Sequence, residues 1–317
     1  MNFLNLYFKG IFMGIADLVP GVSGGTIALI LGVYEDLIYS LSSISFSSIK
    51  GIRKNGILSF WKEINGKFLT ILFSGILTGV IMFTYIIDWL ILHYSIPLWA
   101  FFIGLLLSSV KFINQKINSP DWKLIIYLIL GFLLSFKISL VDSNFSTYNN
   151  EVFLFFSCLL AVSAMLLPGI SGAFILIVLG AYTSVISTIK SFIDLILFQN
   201  LTEAKLVLTN TFIIVSGIVF GLLIFSKIFK WLFIKFHDQT LSFLIGLMIG
   251  GINNIWPWQN KIIIKTSELE NYTTNIVLPN KYEGDPQIIL SIVFFIFGIL
   301  LVFVIQKIET PNVSKKN

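Results

Sequence analysis

Two short stretches of this 317-residue chain place proline, glycine and hydroxyl residues inside hydrophobic sequence. The first, residues 20–34, reads PGVSGGTIALILGVY; the second, residues 168–182, reads PGISGAFILIVLGAY, and eight of the fifteen aligned positions are identical. Pro-Gly ends one helix and Ser-Gly begins the next, which leaves backbone N–H groups unpaired at the positive end of the helix dipole. Two such helix starts facing each other predict an anion site, and phosphate suits several N–H donors at once.

The residues of these two stretches are the candidate binding residues. Glycines let a ligand approach the backbone closely, and hydroxyl groups supply further donors. The tyrosine that closes each stretch either lines the site or anchors its helix at the membrane interface. The predicted substrate-binding residues are Pro20, Gly21, Ser23, Gly24, Gly25, Thr26, Tyr34, Pro168, Gly169, Ser171, Gly172 and Tyr182. The alternative is that proline and glycine only kink two closely packed helices.

Two acidic residues flank the first stretch and have no acidic counterpart in the second. Asp17 precedes the first Pro-Gly by three residues, where the second copy has Met165, and Glu35 follows the closing tyrosine. An ionisable residue within a membrane segment is functional by default. Asp17 and Glu35 are therefore predicted to be proton-coupling residues. The alternatives are that Asp17 caps the following turn and that Glu35 is an interfacial charge.

The sequence contains no recognisable catalytic constellation. There is no nucleotide phosphate loop, no H-E-x-x-H zinc motif and no G-x-S-x-G nucleophile motif. The two histidines, His93 and His237, lack metal-ligand spacing, and Cys158 is the single cysteine. We therefore expect no catalytic residue, no metal and no cofactor.

The composition indicates that the bilayer is the solvent of this chain. Hydrophobic residues make up 56% of it and charged residues only 12%, against about 25% charged in soluble proteins. The first hydrophobic segment and the sixth are short, and each meets its successor at Pro-Gly, which favours re-entrant hairpins over full crossings. Ten hydrophobic segments lie approximately at residues 3–18, 20–44, 68–92, 97–114, 122–141, 151–167, 168–189, 206–230, 240–258 and 286–306.

The duplication extends beyond the two motifs. Residues 74–90 match residues 216–232 at eight of seventeen positions. Each half has a hairpin, which returns to its starting side, and then an odd number of crossings, so the second half starts on the opposite side. We predict an all-α polytopic membrane protein with two inverted-topology repeats, each a re-entrant helical hairpin plus three transmembrane helices. The repeats are residues 1–145 and 146–310 of one integral membrane domain, and residues 311–317 form a cytoplasmic tail.

The distribution of charge predicts the orientation. Fifteen of the 21 basic residues, Lys9 among them, fall on one side if the N-terminus is inside. The positive-inside rule then puts both termini in the cytoplasm. Because most of the basic residues lie in loops between hydrophobic segments, we expect a membrane partner and no nucleic acid. Nothing in the pattern indicates an oligomeric state.

Residues 14–26, GIADLVPGVSGGT, together with residues 167–172, LPGISG, resemble the bacterial PopT family of polyprenyl-phosphate translocases. The resemblance covers nearly the whole chain. It implies a non-enzymatic flippase of the bacterial plasma membrane that returns undecaprenyl phosphate from the outer to the inner leaflet for envelope polymer synthesis. It also implies a role for Asp17 and for the matching residues of both motifs. Ala173 and Phe174 replace the Gly-Thr of the first copy, which argues against symmetric ligation.

On the residues alone, other functions stay open. A transporter or channel for a small soluble anion such as phosphate would use the same helix-start chemistry. A membrane enzyme that processes lipid phosphates would need a cluster of acids, bases or metal ligands that the sequence does not display. A structural membrane scaffold is the remaining alternative.

Overall fold

The computed structural model describes residues 3–18, 22–140, 150–198, 204–266 and 269–309, and most of this sequence is helical. Its helices are α1 (Phe3–Asp17), α2 (Gly24–Ile30), α3 (Tyr34–Ser43), α4 (Phe46–Glu63), α5 (Gly66–His93), α6 (Ser95–Asn114), α7 (Leu124–Ser139), α8 (Glu151–Leu166), α9 (Gly172–Val178), α10 (Tyr182–Phe198), α11 (Ala204–Lys235), α12 (His237–Gly250) and α13 (Ile288–Glu309). Its strands are β1 (Gln259–Thr266) and β2 (Leu269–Ile276), and short 3-10 turns lie at Gly251–Ile255 and Pro279–Lys281.

Several of these helices are long and apolar enough to cross a bilayer, which takes about 20 residues of helix. Within the described residues, α5 (28 residues), α6 (20) and α11 (32) meet that requirement. Shorter apolar helices are α7, α8 and the part of α13 from Ile288 to Val304. Large hydrophobic side chains are exposed along α5, α11 and α13, among them Ile81, Phe212 and Ile289. Apolar surface of this extent belongs in lipid. The chain is a polytopic membrane protein, as its composition predicts.

Glycines make the closest helix crossings. A Cβ atom on any of these glycines would overlap the backbone or a side chain of the partner helix, so the two helices approach as closely as peptide units allow. The pairs are α1 with α5, α8 with α11, α6 with α13 and α7 with α12. The glycines at these crossings are Gly10, Gly14, Gly75, Gly79, Gly217, Gly221, Gly104, Gly298, Gly131, Gly246 and Gly250.

We expect Gly14→Leu to destabilise the fold, because its side chain would meet the carbonyl oxygen of Ile76 on α5. Overpacking of this kind costs about 1–3 kcal/mol or more. The melting temperature in detergent should therefore fall by several degrees. The matched control is Gly51→Leu on α4, where no heavy atom lies within 4 Å of an added Cβ. Equal melting temperatures for the two variants would contradict the close crossing.

The helix pairings of the two halves correspond. The alignment of residues 74–90 with residues 216–232 makes α11 the counterpart of α5. α1 packs on α5 in the same way as α8 packs on α11. At the same offset Gly104 aligns with Gly246, which makes α12 the counterpart of α6. The pairs α6–α13 and α12–α7 are then two copies of one contact, and each joins the first half to the second. The opposite membrane orientation of the repeats and their division after residue 145 stay predictions.

Within the residues that the structure describes, the expectation of an all-α chain is wrong in the polar loop after α12. Residues Gln259–Thr266 and Leu269–Ile276 pair as an antiparallel hairpin, in which Ile263 lies opposite Tyr272. The sequence of β1 contains three consecutive isoleucines, and β2 contains tyrosine and paired threonines, all of which favour strands. The Trp258 side chain donates a hydrogen bond to the Pro286 carbonyl oxygen and ties the base of the hairpin to the start of α13.

The hydrophobic core surrounds α2, the short helix of the first motif. Every residue of α2 is buried. The largest fully buried side chains include Leu29 of α2, Ile38 of α3 and Leu244 and Leu247 of α12, which belong to one hydrophobic cluster. In contrast, no residue of α9, the corresponding short helix of the second half, is fully buried. The first motif is therefore the better packed of the two.

Candidate functional site

Each motif stretch forms a short helix. α2 begins after Ser23 and α9 after Ser171, so the two Ser-Gly pairs start helices as predicted. Each helix stops at a glycine with positive φ, Gly32 at 66° and Gly180 at 71°, a conformation that L side chains rarely adopt. The axes of α2 and α3 meet at 116°. α1, α2 and α9 have 15, 7 and 7 residues, fewer than a crossing requires.

The start of α2 is capped by two side chains. The Thr26 amide donates to the Ser23 hydroxyl, with 3.3 Å between the nitrogen and Oγ. The Gly24 amide donates to the Asp17 carboxylate, with 2.6 Å between the nitrogen and Oδ1. Asp17 thus has the capping geometry that was the alternative to a proton-carrying role. Gly25 is buried beside the carbonyl oxygens of residues 165 and 166, and Pro20 and Gly21 lie outside the described residues.

The far end of α2 is held by a buried lysine. The Lys9 ammonium donates to the Leu31 carbonyl oxygen over 2.6 Å, and Lys9 is only 6% exposed. A cation is favourable there because the C-terminal end of a helix is the negative end of its dipole. Lys9 and Asp17 are eight residues apart on α1, about 12 Å, which matches the length of α2. One helix therefore supplies a charged partner to each end of α2.

Sequence reasoning counted Lys9 among the cytoplasmic lysines, and its position is different. Its side chain lies in the protein interior against α2. The signal that points to it is a lone cation within the first apolar segment, with an acid two helical turns further on.

We expect Lys9→Met to lower stability, because the Leu31 carbonyl loses a charged donor in a buried setting. A hydrogen bond to a charged group contributes about 1.5–3 kcal/mol. The melting temperature in detergent should fall, while Lys62→Met, at an exposed lysine of α4, should leave it unchanged. A Lys9→Met protein as stable as the wild type would show that the ammonium does not hold α2.

The two motif stretches contact each other directly. The Gly169 amide donates to Thr26 Oγ1 over 2.9 Å, and the Tyr34 hydroxyl donates to the Leu166 carbonyl over 2.7 Å. A longer bond of 3.4 Å runs from the Ser23 hydroxyl to the Leu167 carbonyl. Side chains of the first motif thus bond to the backbone just before and after Pro168. We call this contact, formed by residues 23–34 and 166–169, the tip interface.

The second motif is arranged differently from the first. Gly169 has φ of 84° and lies so close to Leu247 on α12 that a Cβ there would be 2.5 Å from its carbonyl oxygen. Ser171 is buried and makes no side-chain capping bond to α9, and Gly172 packs against the Ala161 carbonyl. Tyr182 is 38% exposed, whereas Tyr34 is 1% exposed. The departures from symmetry in the sequence therefore correspond to a structural asymmetry.

A cavity of about 10 Å³ lies at the tip interface. Such a volume holds about one water molecule, so a phosphate group needs the tips to separate. The structure has the tips in contact, with their donors bonded to protein acceptors. The cavity is lined by Val22, Thr26, Phe102, Leu105, Leu106, Gly169, Gly251 and Ile255.

Glu35 has different partners from Asp17. Its carboxylate lies 3.7 Å from Nε2 of His237, at the junction of α11 and α12. Burial acts to raise the pKa of the neighbouring Asp238, but bonds from His237 and from the amides of Asn118 and Ser119 hold that pKa below its usual value. The stability from these bonds is present above the ordinary carboxyl pKa and is lost as pH falls through the lowered one. Sequence reasoning missed this cluster because its members are distant in the chain.

Metal ligation finds no support in the described ranges. Among the residues that the structure covers, no group of three His, Cys, Asp or Glu side chains is close enough to hold a metal ion. Cys158 is a free, buried thiol.

Comparison with known proteins identifies related chains. The model of the VCA0040-like family, described as undecaprenyl phosphate translocase-like, matches residues 13–273. A protein of Vibrio cholerae serotype O1 named polyprenyl-phosphate transporter is 39% identical over 265 residues, which are 83% of this chain and 80% of the relative. A protein of Staphylococcus aureus with the same name is 30% identical over 315 residues, 96% of each chain. No solved structure matches the chain.

Proposed function

Because the chain belongs to the undecaprenyl phosphate translocase-like family, we propose that it carries polyprenyl phosphate, and undecaprenyl phosphate in particular, across a bacterial plasma membrane. The curated relatives named polyprenyl-phosphate transporter support this role. Transport runs from the outer leaflet to the inner leaflet, and both termini are cytoplasmic. The positive-inside bias of the basic residues supports that orientation.

The observation that carries the proposal is the tip interface. Its donors are the amides of Gly24 and Gly169 and the hydroxyls of Ser23 and Tyr34, and in the closed arrangement these bond to Asp17, Thr26 and two carbonyl oxygens. A phosphate group offers several acceptor oxygens. It can therefore replace these internal acceptors when the tips separate, without leaving a donor unpaired. Ser171, which makes no capping bond, adds a hydroxyl on the second tip.

Asp17 provides a route to proton coupling. Its carboxylate holds the Gly24 amide, the same donor that a phosphate at this helix start would use. Two anions at one helix start repel each other, and the dipole attracts only one of them fully. Protonation of Asp17 would weaken its bond to Gly24 and admit the phosphate. Glu35, paired with His237, would act in a separate proton step.

The function is tested in vesicles containing the purified chain. A labelled polyprenyl phosphate added to the outer leaflet should become inaccessible to an external reagent, at a rate that depends on protein. Vesicles without protein are the control. Uptake of inorganic phosphate with no movement of the lipid would instead indicate a carrier of small anions. Release of inorganic phosphate from the lipid would indicate an enzyme.

A further inference from the structure

An apolar groove runs beside the first motif, between α1, α2 and α6, with Leu301 of α13 also in its lining. Its volume is about 150 Å³, and every residue that lines it is apolar. Ala16 belongs to the α1 wall, Ile27 and Ile30 form the α2 wall, and Phe102 and Leu105 form the α6 wall. A groove without a polar lining cannot pair the polar atoms of a ligand, so it suits a hydrocarbon group.

The groove opens toward lipid at α1. Phe12 lines it and is 44% exposed, whereas Ile27 and Ile30 on the inner wall are almost completely buried. Because α1 is an apolar helix of a membrane protein, its exposed face meets lipid chains. A hydrocarbon chain can therefore enter the groove from the bilayer past Phe12.

The same groove borders the tip interface. Phe102 and Leu105 line both the groove and the small cavity that contains Thr26 and Gly169. On α2, Thr26 faces the tip cavity and its neighbour Ile27 faces the groove. A ligand with its phosphate at the tip would thus have the next group of atoms at the groove.

The size of the groove sets the size of that group. An apolar cavity of about 150 Å³ lined by Leu, Ile and Phe binds one benzene molecule. An isoprene unit has nearly as many carbon atoms as benzene. The groove therefore has room for about one isoprene unit, with the rest of a longer chain outside in lipid.

We propose that this groove binds the isoprene unit attached directly to the phosphate and thereby selects polyprenyl phosphates over ordinary phospholipids. In a phospholipid, ester groups and glycerol separate the phosphate from the acyl chains. Those ester oxygens would lie in the groove without partners, at a cost that an isoprene unit does not incur. This proposal rests on the proposed function, because it takes the tip interface as the phosphate site.

The test uses two photoreactive variants of the full chain in vesicles. The phenylalanine analogue p-benzoylphenylalanine replaces Phe12 in one variant and Phe8 in the other. Phe8 is a matched control, one turn away on α1 and 49% exposed, and it does not line the groove. The probe is radiolabelled farnesyl phosphate, and the competitors are unlabelled farnesyl phosphate and phosphatidic acid.

We expect labelling at position 12 to saturate and to exceed that at position 8 by about fivefold, equivalent to about 1 kcal/mol. Unlabelled farnesyl phosphate should compete, and phosphatidic acid should not. Equal labelling at both positions, or equal competition by phosphatidic acid, would overturn the proposal. If position 12 does not tolerate the analogue, the analogue is placed instead at Phe101, on the α6 wall of the groove, and the same saturable labelling is expected there.

The two proposals fail in different ways. Vesicles that move polyprenyl phosphate while position 12 shows no preferential labelling would refute the groove and leave the function. Saturable labelling at position 12 without any lipid movement would refute transport and leave the groove as a binding site.

Discussion

Asp17→Asn should reduce transport of polyprenyl phosphate by about tenfold or more, the loss expected when one charge-assisted interaction of about 1.5–3 kcal/mol is removed from the cycle. The asparagine oxygen can still accept the Gly24 amide bond, so the cap and the fold should survive. What the variant cannot do is change charge. It therefore holds the helix start in one state and cannot exchange places with the phosphate as a proton arrives.

The pH dependence separates this role from simple capping. Wild-type transport should rise as pH falls through the range in which Asp17 is protonated, because the neutral acid binds the Gly24 amide more weakly than the carboxylate does and yields it to the phosphate. Asp17→Asn should be slow and independent of pH over the same range. Asp36→Asn, which removes an exposed carboxylate from α3, should behave as the wild type does. If Asp17→Asn transports at the wild-type rate with the wild-type pH profile, Asp17 is a cap and nothing more.

Thr26→Val should have the second largest effect, again a loss of transport of about tenfold. The two side chains have nearly the same shape, but valine has no acceptor for the buried Gly169 amide. An unpaired buried amide costs about 1–3 kcal/mol. The variant also removes a hydroxyl that a phosphate at the tips would contact. Both effects should weaken the closed arrangement and binding together.

Two other variants make the threonine experiment specific. Thr26→Ser keeps the hydroxyl and should recover most of the activity. Thr70→Val on α5 removes a hydroxyl that bonds only within its own helix and should have little effect. Thr26→Val with full activity would exclude the tip interface from the transport cycle. A Thr26→Ser protein as slow as Thr26→Val would point to packing at this position, since only the methyl group is then missing.

The membrane character and the paired helix breaks could be predicted from the sequence because both are local patterns. Apolar composition over long segments indicates lipid-embedded helices, and the recurrence of P-G-x-S-G indicates two equivalent breaks. The contact between the breaks was an inference from the duplication, and residues 23–34 and 166–169 do meet. The anion-binding role of these residues stays a prediction.

The bonds that hold the tips could not be read in the same way. Lys9, Thr26 and Tyr34 bond to backbone groups, and every residue of the chain offers such groups, so the sequence does not identify the partner. The β-hairpin was missed for a different reason. Its strands lie in a stretch rich in polar residues, and that composition indicated a loop despite the strand-favouring residues of β1 and β2.

The close glycine contacts at the α6–α13 and α7–α12 crossings, here called glycine seams, restrict how this protein can move. In each seam, a helix of the first half (α6 or α7) is in van der Waals contact with a helix of the second half (α13 or α12). The two halves therefore pack closely at two places. Rocking one half against the other as a rigid body would break both seams. The displacement that admits a headgroup is therefore expected to be small and local, and centred on α8 and α9, because α9 has no fully buried residue.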